Sequence, residues 1–108
     1  LPKKIVCGSR SYGVVYPYGF KEKTDLCGQS DHMQGEIRIS CFDQGGCLRS
    51  DTDVIVTFFH ELLHCIDIVY CQNTIGKERN PEELIDGISE GLAQAFVTGS
   101  FPLHKKTK

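Results

Sequence analysis

Residues 51–70, DTDVIVTFFHELLHCIDIVY, form a run of twenty residues without glycine or proline. Many of them are β-branched, but strands rarely exceed about ten residues, so the run predicts a helix. Ser50, Asp51 and Thr52 each offer a side-chain oxygen for the N-cap position, and the acidic residues there suit the positive end of the helix dipole. We therefore predict a helix from Asp51 or Thr52 to about Tyr70.

The segments before this helix have the composition of β-strands. KKIVCG and YGVVYPYGF are rich in β-branched and aromatic residues, and GSRS between them is typical of a turn. The segment KEKTDLCGQSDHMQG has the composition of a polar loop. In EIRISCF, Ile37, Ile39 and Cys41 alternate with polar residues, which predicts a half-buried strand, and its short length suits the edge of a sheet.

A second helix is predicted to begin after Asn80. Asn80 suits the N-cap position, Pro81 the first helical position, and Glu83 the third position of a capping box. The helix is expected to run to about Val97. Its predicted buried face consists of Leu84, Ile85, Ile88, Leu92, Ala95 and Phe96.

Length and charge limit the possible functions. A chain of 108 residues forms one domain, residues 1–108, with one modest core. Its net charge of −2 predicts no general affinity for nucleic acid or anionic membranes, and no apolar stretch approaches the length of a membrane span. We expect a cytoplasmic protein. Because the chain opens with Leu1 rather than methionine, the alternative is a protein whose signal peptide has been removed.

The six cysteines are many for a cytosolic protein of this length. Cys65 and Cys71 lie six residues apart on the predicted first helix, so they face apart and are too distant to form a bridge. Cys41 and Cys47 flank the probable turn FDQGG and offer the alternative of one small disulfide loop. Reduced cysteines are the favoured prediction.

The first helix contains the pattern His60-Glu61-Leu62-Leu63-His64. Histidines four residues apart project from one helix face, and both can reach one zinc ion at about 2.0–2.1 Å. Glu61 is rotated by roughly 100° from His60, so it suits the role of the general base that takes a proton from the attacking water. The competing interpretation is an accidental match, with two hydrogen-bonded core histidines.

The helical wheel favours the metal interpretation. A polar stripe runs along the otherwise apolar helix and requires partners for its buried groups; it consists of Asp53, Thr57, His60, His64 and Asp67. Asp67 lies one turn beyond His64. Its carboxylate is predicted either to accept a hydrogen bond from a ligand imidazole or to anchor the loop after the helix.

A catalytic zinc site needs a third protein ligand. Glu83 and Glu90 point away from the predicted buried face of the second helix, whereas Glu82 lies at its border. Glu82 is therefore the preferred ligand, with Asp86 as an outer carboxylate and Glu83 as the main rival. The competing role of Glu82 is that of a first-turn glutamate that complements the helix dipole.

With His60-Glu61-Leu62-Leu63-His64 followed by Glu82-x-x-x-Asp86, the chain resembles the gluzincin metallopeptidases, and in its size the minigluzincins and related short phage proteins. The resemblance covers roughly residues 28–97. It implies an α+β zincin-like domain with about three strands on an active-site helix and a following glutamate helix. It also implies zinc on His60, His64 and Glu82, with Glu61 as the catalytic base.

The same resemblance implies that EIRISCF lines a cleft and pairs with an extended peptide or protein substrate. Because minigluzincins are thought to be latent, the tail at residues 98–108 is expected to lie in the cleft as an inhibitor, with His104 near the metal. The leading function is thus a zinc endopeptidase, with no nucleic-acid or membrane partner. The alternative is a non-catalytic, zinc-stabilised module that binds peptides. A DNA-associated protease would require a basic surface, which the charge does not supply.

Overall fold

The structure, a computed structural model, describes residues 1–20 and 26–98. Four strands come first: β1 (Lys4–Cys7), β2 (Arg10–Val15), β3 (Gly28–Asp31) and β4 (Glu36–Ile39). They are followed by helix α1 (Asp51–Tyr70), a 3₁₀ turn (Ile75–Lys77), helix α2 (Pro81–Ala93) and a π-helical turn (Gln94–Thr98). The α+β class is confirmed. Residues 99–108, with the predicted inhibitory tail and His104, lie outside the described residues.

The strands form a mixed sheet in the order β1-β2-β4-β3. β1 with β2 and β3 with β4 are antiparallel pairs, while β2 and β4 run parallel. The predicted three-stranded sheet is therefore wrong. The predicted edge position of EIRISCF is also wrong, because β4 lies between two strands.

β4 has the side-chain alternation that the sequence predicts. Ile37 and Ile39 are fully buried on one face. On the other face, Arg38 forms ion pairs of 2.8 Å with Glu36 and with Asp31 of the neighbouring strand. Alternation reports which face is buried and carries no information about strands on either side, so it could not distinguish an edge strand from a central one.

The edge strand beside the helices is β3, which lies within the segment predicted to be a polar loop. Its sequence, GQSD, has no β-branched or aromatic residue, so its local propensity favours a turn. Pairing with β4 over four residues, from Gly28 opposite Ile39 to Asp31 opposite Glu36, overrides that propensity.

Helix α1 has the predicted bounds, and Ser50 caps it by accepting a hydrogen bond from the backbone N–H of Asp53. One line of the helix packs against the sheet and includes Val54, Phe58, Glu61 and Cys65. The core beneath it adds Cys7, Tyr12, Ile37 and Ile39. A carboxylate therefore occupies a position in the middle of an apolar contact line.

Helix α2 packs against α1 along a narrower line than predicted. Its buried residues are Ile85, Ser89 and Ala93. Leu84, Ile88 and Phe96 are 45%, 37% and 44% exposed, and Ala95 is exposed as well, so their predicted burial is wrong. Asn80 is the N-cap residue, but its side chain makes no capping hydrogen bond, so the predicted capping box is absent.

Two of the six cysteines, Cys7 and Cys65, are part of the core. All six are free. Burial raises the pKa of the Cys65 thiol to about 11, and it also raises the pKa of Cys7. Both thiols therefore stay protonated at neutral pH and pack as small apolar groups. Within residues 1–20 and 26–98, neither helix is long and apolar enough to cross a membrane.

The close contact of β3 with α1 predicts that Gly28→Ala is destabilising. A Cβ there would lie 2.6 Å from Thr57 Cγ2 and 3.1 Å from Glu61 Oε2, so the strand or the helix must shift. We expect a loss of about 1–3 kcal/mol in the free energy of unfolding, measured in urea. Gly13→Ala in β2 is the control, because a Cβ there meets no atom within 4 Å. Equal stability of the two variants would contradict the tight contact.

Candidate metal centre

Three side chains from the two helices converge at one point. His60 and His64 project from α1, and Glu82 reaches them from the first turn of α2. The two Nε2 atoms are 3.2 Å apart. Glu82 Oε1 lies 3.0 Å from His60 Nε2, and Glu82 Oε2 lies 3.2 Å from His64 Nε2. These three residues form a group that could hold a metal ion.

The spacing of this group suits a bound cation. Two imidazole nitrogens and a carboxylate at these distances need a proton or a cation between them to avoid repulsion of their lone pairs. Two ligand atoms at about 2.0–2.1 Å from one tetrahedral ion lie roughly 3.3 Å apart, close to the separations present here. Protons on the imidazoles would satisfy the same lone pairs, so metal binding must be measured.

Asp86 holds the first histidine in place. Its Oδ1 lies 2.8 Å from His60 Nδ1, on the side of the ring opposite Glu82. An outer carboxylate on a ligand imidazole fixes the tautomer and the orientation of the ring. Asp86 thus occupies the place that the sequence reading gave it. Glu83, the rival ligand, is exposed and is not part of the convergent group.

Glu61 leaves α1 toward the sheet rather than toward α2. Its side chain is 7% exposed. Ser30 on β3 donates a hydrogen bond of 2.6 Å to Glu61 Oε1, and its hydroxyl also lies 3.0 Å from the Glu61 carbonyl oxygen. Sequence reasoning missed Ser30, because one serine inside a polar segment carries no signal until β3 is known to lie against α1.

The environment of Glu61 shifts its protonation equilibrium. Burial raises the pKa of this carboxyl above its ordinary value, while the Ser30 hydrogen bond opposes the rise. Positive charge on His60 and His64 lowers the pKa, and the negative charge of Glu82 raises it. The Glu61 carboxyl therefore lies within electrostatic range of all three convergent residues.

Asp67 is almost completely buried and faces away from the histidines. Its Oδ1 accepts a hydrogen bond of 3.0 Å from the backbone N–H of Ile75, and its Oδ2 accepts one of 2.9 Å from Gly76. This is the loop anchor, the second of the two predicted roles. The first, a bond to a ligand imidazole, is not what the structure contains.

A further histidine approaches this side of the sheet. His32 follows β3, and its Nδ1 lies 2.9 Å from the hydroxyl of the buried Tyr12. Arg10 Nη2 donates a hydrogen bond of 2.6 Å to the backbone oxygen of His32. His32 is not a member of the convergent group.

Comparisons with protein-family models, with curated proteins and with solved structures gave no match. The resemblance to gluzincins therefore stays a prediction that depends on the residues described above.

Removal of the Glu82 carboxylate tests the metal centre. We expect the purified protein to bind one divalent ion, and Glu82→Gln to raise the dissociation constant at least about tenfold because a ligand is lost. Titration with zinc against a chromophoric chelator measures this. The control is Glu83→Gln, which removes the same charge one residue along the helix and should leave the constant unchanged. Equal affinities in the two variants would contradict the assignment.

The two roles of Asp67 are separated by Asp67→Asn. The amide cannot accept both backbone N–H bonds, so one buried donor loses its partner. We expect a loss of about 1–3 kcal/mol in the free energy of unfolding, with metal affinity unchanged. Exposed Glu90→Gln on α2 is the charge-matched control and should keep wild-type stability. A weakened metal affinity in Asp67→Asn at full stability would favour the ligand-partner role instead.

Proposed function

We propose that the protein is a zinc metallopeptidase with a minimal catalytic domain. Zinc is held by His60, His64 and Glu82, and Glu61 is the general base. The observation that supports this proposal is a buried carboxylate one residue from His60, within electrostatic range of all three side chains of the group that could hold a metal ion.

The donor set favours zinc among divalent ions. Two imidazoles and one carboxylate are the ligands of many catalytic zinc sites, in which a fourth position stays open for water or substrate. Calcium and magnesium prefer oxygen ligands, and a site with two nitrogens suits them poorly. The exposed Glu82, at 65% side-chain exposure, borders solvent and so leaves one side of the group accessible.

The protein's own groups can carry the proton steps of peptide hydrolysis. Bound zinc would supply Lewis-acid polarisation and a lowered pKa for water. The Glu61 carboxylate takes one proton from the attacking water as the water oxygen bonds to the carbonyl carbon. When the carbon–nitrogen bond breaks, Glu61 returns that proton to the leaving amine. His60 keeps its Nε2 directed at the metal position because Asp86 holds its Nδ1.

Strand β3 is suited to hold the backbone of a peptide substrate. Among the described residues it is an edge strand, paired only with β4. The Cys27 carbonyl accepts from Ser40 N, so it faces β4. Because backbone groups alternate along a strand, those of Gly28 and Ser30 point to the free edge. An extended peptide can pair there, beside the Glu61 carboxylate.

Self-inhibition by the C-terminal tail stays a separate hypothesis. Residues 99–108 follow the π-helical turn at the end of α2, and they lie outside the described residues. Nothing in the catalytic proposal depends on their position.

Glu61→Gln separates a peptidase from a non-catalytic zinc module. The amide keeps the size of the side chain but cannot take a proton, so we expect the rate of peptide cleavage to fall by at least about 100-fold. Zinc content, measured by elemental analysis, should stay at the wild-type level. Cleavage is followed with unfolded casein and a quenched fluorescent peptide library.

The matched control for this substitution is Glu83→Gln, which should cleave at the wild-type rate. Equal activity in Glu61→Gln and the wild type would contradict the role of Glu61. Stoichiometric zinc without cleavage in the wild type, and also in a variant truncated after Thr98, would favour the peptide-binding module.

A further inference from the structure

The hydroxyl of Ser30 donates a short hydrogen bond to the Glu61 carboxylate. Its Oγ lies 2.6 Å from Glu61 Oε1 and 3.0 Å from the Glu61 backbone oxygen. One hydroxyl proton serves two acceptors, and the short distance to the carboxylate is typical of a charge-assisted bond. The contact joins an edge strand to a helix 31 residues away in sequence.

We propose that Ser30 is a positioning residue for catalysis, which fixes the orientation of the Glu61 carboxylate through Oε1. This inference rests on the proposed function, because it assigns Ser30 a role in the reaction at that site. Ser30 acts through Glu61 and does not itself touch the reacting atoms.

The surroundings of Glu61 restrict the carboxylate on a second side. Gly28, two residues before Ser30, leaves room for Oε2, because a Cβ there would lie 3.1 Å from that oxygen and 3.2 Å from Glu61 Cγ. Ser30 thus holds one carboxylate oxygen while Gly28 makes space for the other. The two contacts together fix the orientation of the carboxylate.

A general base needs such a restraint because its rate depends on geometry. A glutamate side chain has three rotatable bonds, and a displacement of about 1 Å can reduce a rate by about 100-fold. The two carboxylate oxygens are equivalent in a free glutamate. Here the hydrogen bond from β3 makes them different, because Oε1 is bonded to Ser30 and Oε2 packs against Gly28.

The position of Ser30 also connects the base to substrate binding. Its backbone groups point to the free edge of β3, where a peptide would pair, while its side chain points to α1. A peptide paired with this edge would therefore contact the same residue that holds Glu61.

Ser30→Ala tests the proposal, with Ser30→Thr as the conservative variant that restores a hydroxyl. We expect Ser30→Ala to lower kcat by about 10- to 100-fold with KM unchanged, since only the orientation of the base is lost. Ser30→Thr should recover most of kcat. Zinc content is measured for each variant and should stay close to the wild type. Thermal stability is also measured, and Ser30→Ala should lower it because the buried carboxylate loses its hydrogen bond.

A double-mutant cycle distinguishes a role of Ser30 in catalysis from a purely structural role. In a Glu61→Gln background, Ser30→Ala should cause no further loss of the residual rate, because the base on which it acts is already absent. An equal loss in both backgrounds would overturn the proposal. So would a wild-type kcat in Ser30→Ala, or loss of zinc or of folding in both Ser30 variants.

The same experiments distinguish failure of this inference from failure of the proposed function. If Glu61→Gln is inactive and Ser30→Ala is fully active, the peptidase assignment stands and the role of Ser30 is wrong. If Glu61→Gln is as active as the wild type, the assignment of the base itself is wrong.

Discussion

Helix α1 packs against other elements on two sides, and the whole candidate site follows from this constraint. One side faces the sheet along the line that contains Glu61 and Cys65, and the other faces α2 with His60 and His64. Adjacent residues on a helix differ by about 100° in direction. His60 and Glu61 therefore belong to different interfaces, and the convergent group lies where the sheet and α2 both meet α1.

Each of the two interfaces of α1 brings together the residues of one part of the site. The contact between α1 and α2 assembles the convergent group, since Glu82 and Asp86 lie one turn apart on α2 and both bond His60. The contact between α1 and β3 orients the Glu61 carboxylate, since Ser30 bonds Glu61. The convergent group and the proposed base therefore depend on different packing contacts of α1.

The residues that the sequence located correctly are those whose positions depend on helix periodicity. The common face of His60 and His64 and the border position of Glu82 follow from 3.6 residues per turn. The bounds of α1 follow from local signals as well, namely the N-cap residue and the absence of glycine and proline. What the sequence could not supply depends on tertiary pairing. GQSD becomes a strand only because β4 lies beside it, and Ser30 becomes a partner of Glu61 only because that strand contacts α1.

The burial of Glu61 is difficult to explain by stability alone. Removing a carboxylate from water costs several kcal/mol in a protein interior, and one charge-assisted hydrogen bond contributes about 1.5–3 kcal/mol in return. Its neighbours on the contact line, Val54, Phe58 and Cys65, are apolar, so an apolar residue at position 61 would stabilise the fold more. A carboxylate that the fold tolerates at such a cost, next to converging imidazoles, supports the proposal that Glu61 acts as a general base.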